Sequence, residues 1–352
     1  MNNPILVQAL RGDVVESFHR GALAVVNDRG HVMLSLGDVQ RPIFPRSAVK
    51  VLQALPLITS GAADALGLSD AELALACASH GGEEQHVRTA ASMLAKAGVD
   101  VGALECGTHW PSHDASLKAL ARRGQEPTAL NNNCSGKHAG FICVGCLISG
   151  LKGAALRDFV QGYVEPQHPV MQTITQSLAQ ATDCDLSAAP RGTDGCSIPT
   201  FGIPLKQLAL AFARVGTGQG LSGDQALAAQ RLRRAVAREP GMVAGTGRLD
   251  TRLMERLGER LFCKVGAEGV YCAAFPERGW GVAIKMDDGN TARAVEIVMA
   301  RLCCALLELQ ADELDWLASL HHLQLRNWQG RLVGHLQPAT EFEDQLRALG
   351  LS

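Results

Sequence analysis

The sequence predicts an α/β (α+β) molecule: a mostly antiparallel sheet built from the N- and C-terminal regions, with a helical lobe inserted between them. Three observations predict it. Apolar residues alternate along the first forty positions, which is the period of strands. From Ser47 to about Pro240 they recur at helical spacing, and alternation returns near Gly269. Composition agrees, because 47% of the 352 residues are hydrophobic and only 4% aromatic. Ala, Leu and Val therefore fill the core, and a disordered chain is excluded.

Taken in order, residues 5–10, 14–18, 22–26 and 32–36 read as short strands of a meander. Asn27, Asp28 and Gly30 make the turn before the last, since these residues tolerate the positive φ of tight hairpins. In the helical stretch, Ser69 and Glu72 form a capping box, and Gly61 and Gly98 are stop signals. Ala-rich helices follow at 205–215 and 223–238. Residues 269–275 and 280–286 read as a hairpin around Pro276 and Gly279, followed by a helix over 291–309. No repeat or Pro-rich linker divides the chain. One catalytic unit, 1–352, is expected, with sheet from about 1–45 and 265–340 and a helical, active-site region from about 46–264.

Thirty-three Lys and Arg against 35 Asp and Glu give a net charge of −2 with no basic block. That excludes a nucleic-acid surface and a polybasic membrane anchor, and leaves small neutral or zwitterionic ligands. The apolar stretch 141–151 is broken by glycines and falls short of the about 20 residues a membrane span needs. The first residues lack the basic n-region and cleavage site of a secretory signal, so no membrane contact and a cytoplasmic location are expected. Eleven cysteines, several inside apolar runs, read as reduced core residues.

Five runs could carry chemistry. In Arg46-Ser47-Ala48-Val49-Lys50 the preceding Pro45 suits a helix start, so Ser47 and Lys50 fall on one face of the first turns. A neutral lysine amine beside a serine can take its proton as the oxygen attacks a carbonyl. Holding a lysine of reference pKa about 10.4 neutral at pH 7 costs about 4.6 kcal/mol, so burial or a second cation is required. The plain alternative is a capping serine and a solvated lysine. Ala78-Ser79-His80-Gly81-Gly82 has paired glycines that let backbone approach a ligand, or that simply connect two helices.

Asn131 to His138 places amides, a thiol and two basic groups before an apolar helix, which packing does not require. Cys134 and Lys137 are i and i+3, with His138 adjacent, and Thr193-Asp194-Gly195-Cys196 could complete a metal site from a second loop. Spacing alone also fits two unrelated loops, since there is no C-x-x-C and lysine is a rare zinc ligand. Lys264 is expected at a strand edge, ahead of the strand near Gly269.

Together, R-S-A-V-K at Arg46 to Lys50, A-S-H-G-G at Ala78 to Gly82, N-N-C-S-G-K-H at Asn132 to His138, T-D-G-C at Thr193 to Cys196 and K-V-G-A-E-G-V at Lys264 to Val270 resemble one family. It is the rhizobial-type, class 3 L-asparaginases, or asparaginase II family. The resemblance covers most of the chain. It implies a fold similar to serine β-lactamases and glutaminases, a homodimer, and hydrolysis of L-asparagine to L-aspartate and ammonia. It makes Ser47 with Lys50 one serine–lysine tandem and Ser79 with Lys264 a second facing it, each lysine lowering the other's pKa. It makes Cys134, Lys137 and Cys196 ligands of one zinc ion per chain, completed by water, which orients substrate rather than generating hydroxide. Arg46 then meets the substrate α-carboxylate, and His138 and Asp194 lie among polar groups near the metal.

Other readings share parts of this pattern. A glutaminase or penicillin-recognising serine hydrolase would have S-x-x-K and a strand lysine, but S-D-N and K-T-G are absent. A non-enzymatic zinc-binding protein would need only Cys134 and Cys196.

Overall fold

The computed structural model describes residues 3–351. Its main sheet is built from Ile5–Arg11 (β1), Val14–Asn27 (β2), Val32–Leu36 (β3), Phe262–Val265 (β4), Val270–Phe275 (β5), Trp280–Met286 (β6), Leu323–Arg326 (β7) and Leu332–Pro338 (β8). Among the described residues the order is β7-β8-β1-β2-β6-β5-β4, with β3 also on β2. Every pairing is antiparallel. The sheet is thus drawn from both ends of the chain, as the alternation predicts.

Two expected strands, 14–18 and 22–26, are one. Nothing in His19-Arg20-Gly21 stops the extended chain, and β2 serves two sets of partners: Val14 to Arg20 pair with β1, while Gly21 to Asn27 pair with β6. Its second half is buried from Gly21 to Val26, which is why that stretch is apolar on both faces. The helix expected over 291–309 begins as a single π turn, Thr291–Val295, before Glu296–Leu306 continues as α-helix. β7 and β8 fall within the stretch expected as sheet but were not read as individual strands, and β4 and the C-terminal helix Thr340–Ala348 were not anticipated.

The inserted lobe contains Lys50–Thr59 (α1), Asp70–Ala76 (α2), Glu84–Ala97 (α3) and Ser135–Ser149 (α4). The capping box at α2 is present: Glu72 N–H donates to Ser69 Oγ and Ser69 N–H to Glu72 Oε2, 2.7 Å. α4 is buried continuously from Ser135 to Cys146 against α1, α2 and α3, so its all-round apolar surface is that of a lobe centre. No helix among the described residues is long and apolar enough to cross a membrane. Leu205–Thr217 (α5) then lies across β2, β5 and β6, and Leu249–Leu257 (α6) packs beside β4. All eleven cysteines are free and nine are buried.

Candidate active site

The chain leaves Ile43, turns through Arg46 at φ 51°, makes one 3-10 turn over Arg46–Val49 and enters α1 at Lys50. Positive φ at a non-glycine residue is strained and must be held by its surroundings. Ser47 consequently sits in the tight turn rather than in the α-helix, and it is half-buried. Strands β4 and β5 pack on this turn, which brings the strand carrying Lys264 up to Ser47.

Lys50 is 1% exposed. Its Nζ donates to the Ala78 carbonyl, to Ser79 Oγ at 2.9 Å, to Cys134 Sγ at 3.1 Å and toward the Asn133 carbonyl at 3.4 Å. The bond formed is therefore Lys50 to Ser79, where the resemblance pairs Lys50 with Ser47. Ser79 is fixed in turn, because its N–H donates to Val243 O at 2.8 Å.

Lys264 is not ahead of a strand but inside β4, and it is fully buried. Its Nζ donates to Val265 O at 2.7 Å and stands 3.9 Å from Asp250 Oδ2. Among the described residues no hydrogen bond links Lys264 to either serine. Burial pushes its pKa down to about 8; Asp250 opposes this, and the Lys50 charge adds to it. At Lys264 the depression expected from paired lysines is present, with desolvation its larger cause.

The second cluster comes from α4 and the loop after Thr193. Cys134, Lys137 and Cys196 are buried, and Lys137 Nζ donates to Cys196 Sγ at 3.0 Å. The Cys196 side chain holds Cys134 well below the ordinary thiol range; burial works against it, and the Lys137 and Lys50 charges reinforce it. The pair thus gives up one proton readily and retains the other, a property of the pair rather than of either thiol. Burial disfavours charge on Lys137, but the two sulfurs and Asp194 overcome this and hold its ammonium above the usual lysine range. Two soft sulfur donors and an amine converging in a buried site fit zinc by donor chemistry. Among the described residues no three of His, Cys, Asp and Glu form a metal cage; the third donor here is a lysine.

Arg46 and Asp194 are joined: Nε and Nη2 of the guanidinium each lie 2.8 Å from Asp194 Oδ1. Burial would raise the Asp194 pKa, but Lys137, Arg46 and the Gly195 amide together hold it below the usual carboxylate range. The Arg46 fork expected on a substrate carboxylate therefore has a protein carboxylate on it in this structure. His138 is fully buried, with Nδ1 2.6 Å from the Tyr163 hydroxyl. That hydroxyl also accepts the Glu105 N–H at 3.0 Å. His138 Nε2 is buried with no partner among the described residues. Burial first, then Lys137 and Lys50, keeps the ring neutral.

The chain matches the description of L-asparaginase II across residues 7–338. It belongs to the L-asparaginase II family. No curated protein matches it. A solved structure described as "Crystal Structure Analysis of Mglu" aligns at 15% identity and a TM-score of 0.33, covering 78% of this chain and 64% of that one. The chain thus spans less than two thirds of the length of that structure.

Within this member of the L-asparaginase II family, three supporting residues escaped sequence reasoning. His80, inside A-S-H-G-G, accepts the Gly82 N–H at Nδ1, 3.1 Å, and so donates from Nε2 to Ser135 Oγ at 2.9 Å. It is a strut joining the Ser79 turn to α4, kept neutral by burial. His109 Nε2 accepts the Asn133 N–H at 2.9 Å and steadies the loop before Cys134. Asp250 lies behind Lys264. Isolated His and Asp residues in loops and charged helices carry no pattern that marks them. Only the H-G-G sequence after Ser79 offered a signal.

Proposed function

We propose that the chain hydrolyses the side-chain amide of L-asparagine to L-aspartate and ammonia by serine–lysine chemistry, on a scaffold related to serine β-lactamases and glutaminases. The observation that carries this reading is the 2.9 Å hydrogen bond from Lys50 Nζ to Ser79 Oγ, in a buried cluster that includes Lys264. Lys50 is ringed by acceptors and orients Ser79. Lys264, lowered to about 8, is an amine whose neutral form comes within reach just above physiological pH.

In the proposed sequence Ser79 Oγ attacks the amide carbon while its proton passes to Lys264. Collapse of the tetrahedral intermediate breaks the C–N bond, and Lys264 returns the proton to the departing ammonia. Water then attacks the acyl-serine, again giving its proton to Lys264, and aspartate leaves as serine is restored. Ser47, in the turn beside β4, is the second hydroxyl of the site. His138 Nε2 is an unpaired ring nitrogen available to substrate, and Arg46 with Asp194 faces its polar ends.

Cys134, Cys196 and Lys137 are the residues that would hold zinc, one ion per chain, and zinc bound there would supply a Lewis acid that fixes a substrate oxygen. The family resemblance extends the proposal to a homodimer.

A coupled ammonia assay tests it. Asparagine should exceed glutamine in kcat/KM by about 10- to 200-fold, the range for one misfitting methylene; equal constants would remove the substrate assignment. Ser79→Ala should lower kcat by about three orders of magnitude or more and abolish the acyl adduct seen by quenched-flow mass spectrometry. An adduct that persists in Ser79→Ala and disappears in Ser47→Ala would move the nucleophile to Ser47.

A further inference from the structure

Asp250, on α6, is 2% exposed, and the two side chains it faces, Lys264 and Tyr271, are fully buried. Its Oδ2 accepts the Val265 N–H at 3.0 Å, and its Oδ1 accepts the Tyr271 hydroxyl. Lys264 Nζ, 3.9 Å from Oδ2, donates to the carbonyl of the same Val265. One residue of β4 thus clamps both partners, its N–H on the carboxylate and its C=O on the amine. Buried ion pairs contribute little net stability compared with apolar residues of the same volume. A carboxylate held by two donors with a lysine as its counter-charge therefore points to a role in placing that lysine.

We propose that Asp250, fixed by Tyr271 and Val265, is a positioning residue that anchors the Lys264 amine in the catalytic cluster and balances its charge against Lys50. The proposal rests on the reading of Lys264 as the base. The groups facing Lys264 are Asp250 on α6, Arg248 just before it, Lys50 on α1, Cys134 ahead of α4, and the thiols of Cys77 and Cys272. Asp250 and Cys134 favour the ammonium form, whereas Lys50 and Arg248 oppose it. Loss of the Asp250 charge therefore lowers the pH at which Lys264 gives up its proton. Glu296 responds to the same carboxylate: burial first, then Asp250, pushes it up to about 7.

The test is the pH profile of kcat/KM. In Asp250→Asn the acid limb should move to lower pH by about one unit or more, the effect of an opposite charge at this range, and the plateau should fall about tenfold or more as the amine loses its anchor. Asp250→Glu should return the limb toward its original position. An unmoved limb in Asp250→Asn, with Lys264→Met inactive, overturns the positioning role and leaves the base in place. Full activity in Lys264→Met overturns the base, and the positioning role with it. Should Asp250→Asn fail to fold, the unaltered enzyme labelled with 13C at lysine Cε and aspartate Cγ decides the matter. The Asp250 carboxyl resonance should step at the pH where Lys264 titrates, and a flat resonance overturns the proposal.

Discussion

Lys50 and Lys264 are both buried amines, yet their surroundings assign them different tasks. Lys50 has a hydroxyl, a sulfur and two carbonyls around one nitrogen, whereas Lys264 has a single carbonyl within hydrogen-bond reach and a carboxylate beyond it. Either Lys→Met replacement should lower kcat by about two to four orders of magnitude. The two are separable by pH. With Lys264 at about 8, kcat/KM should climb as pH rises toward 8 and level above it; an acid limb ending near pH 6 would exclude Lys264 as the base. The same shift acts on stability. Between about 8 and the ordinary lysine value of about 10.4 the unfolded chain holds a proton that the native chain lacks, so stability gains from rising pH across that window and Lys264→Met should abolish this gain. Denaturant midpoints at the two ends read it directly. The cysteines make a further prediction: protein purified without chelator should carry one zinc per chain by elemental analysis, and Cys196→Ser should lose it. Metal removal should raise KM more than it lowers kcat, as for binding common to ground and transition states; chelated enzyme with normal KM and no turnover would overturn that role.

Among the elements, α4 shows what could be read in advance and what could not. Its polar opening, Cys134 to His138, stands out because amides, thiol and lysine ahead of an apolar helix are not what packing selects. That Cys134 and Cys196 would meet, and that Lys50 would reach Ser79 rather than Ser47, depends on how α1, α2 and α4 stack, which no local pattern encodes. β4 was hidden for the opposite reason. Phe262-Cys263-Lys264-Val265 is buried at every position, so its lysine breaks the alternation by which a strand is recognised. Asp250 lies in a charged run, Arg248 to Arg252, that reads as a solvated helix until β4 and β5 are placed on it. Stacking of α4 on α2 depends on Gly136. A Cβ there would lie 2.4 Å from both Leu75 Cγ and the Leu75 carbonyl oxygen, and the backbone oxygen cannot rotate away. Gly136→Ala should therefore cost about 1–3 kcal/mol and, by tilting the start of α4, weaken zinc binding as well. Thermal denaturation with metal analysis checks both, and an unchanged melting temperature with full metal content would contradict the packing argument.

For the whole molecule, antiparallel pairing of the two chain ends was legible where short apolar runs flank turn residues, as in the hairpin of β5 and β6 around Pro276 and Gly279, which is buried nearly throughout. β7 was not, since its residues are mostly exposed and its Leu-Gln-Leu-Arg pattern marks no buried face. β8, between β7 and β1, was passed over with it. The sheet and the lobe are coupled through α5, which rests on β2, β5 and β6, while β5 and its neighbour β4, which carries Lys264, pack against the Ser47 turn. The coupling is close because Gly281 on β6 has no side chain. A Cβ at that position would stand 2.0 Å from the Ala209 carbonyl oxygen and 2.3 Å from the Ala213 nitrogen, both backbone atoms of α5. Neither can give way unless the helix lifts from the sheet, and lifting it uncovers Leu208, Ala209 and Phe212, all fully buried. Gly281→Ala should accordingly destabilise the fold by about 3 kcal/mol or more, at or beyond the usual cost of overpacking. Gly195→Ala, where no atom lies within 4 Å of the added Cβ, serves as the comparison. A Gly281→Ala protein whose denaturation midpoint matches that comparison would show that α5 is not held to the sheet by this approach.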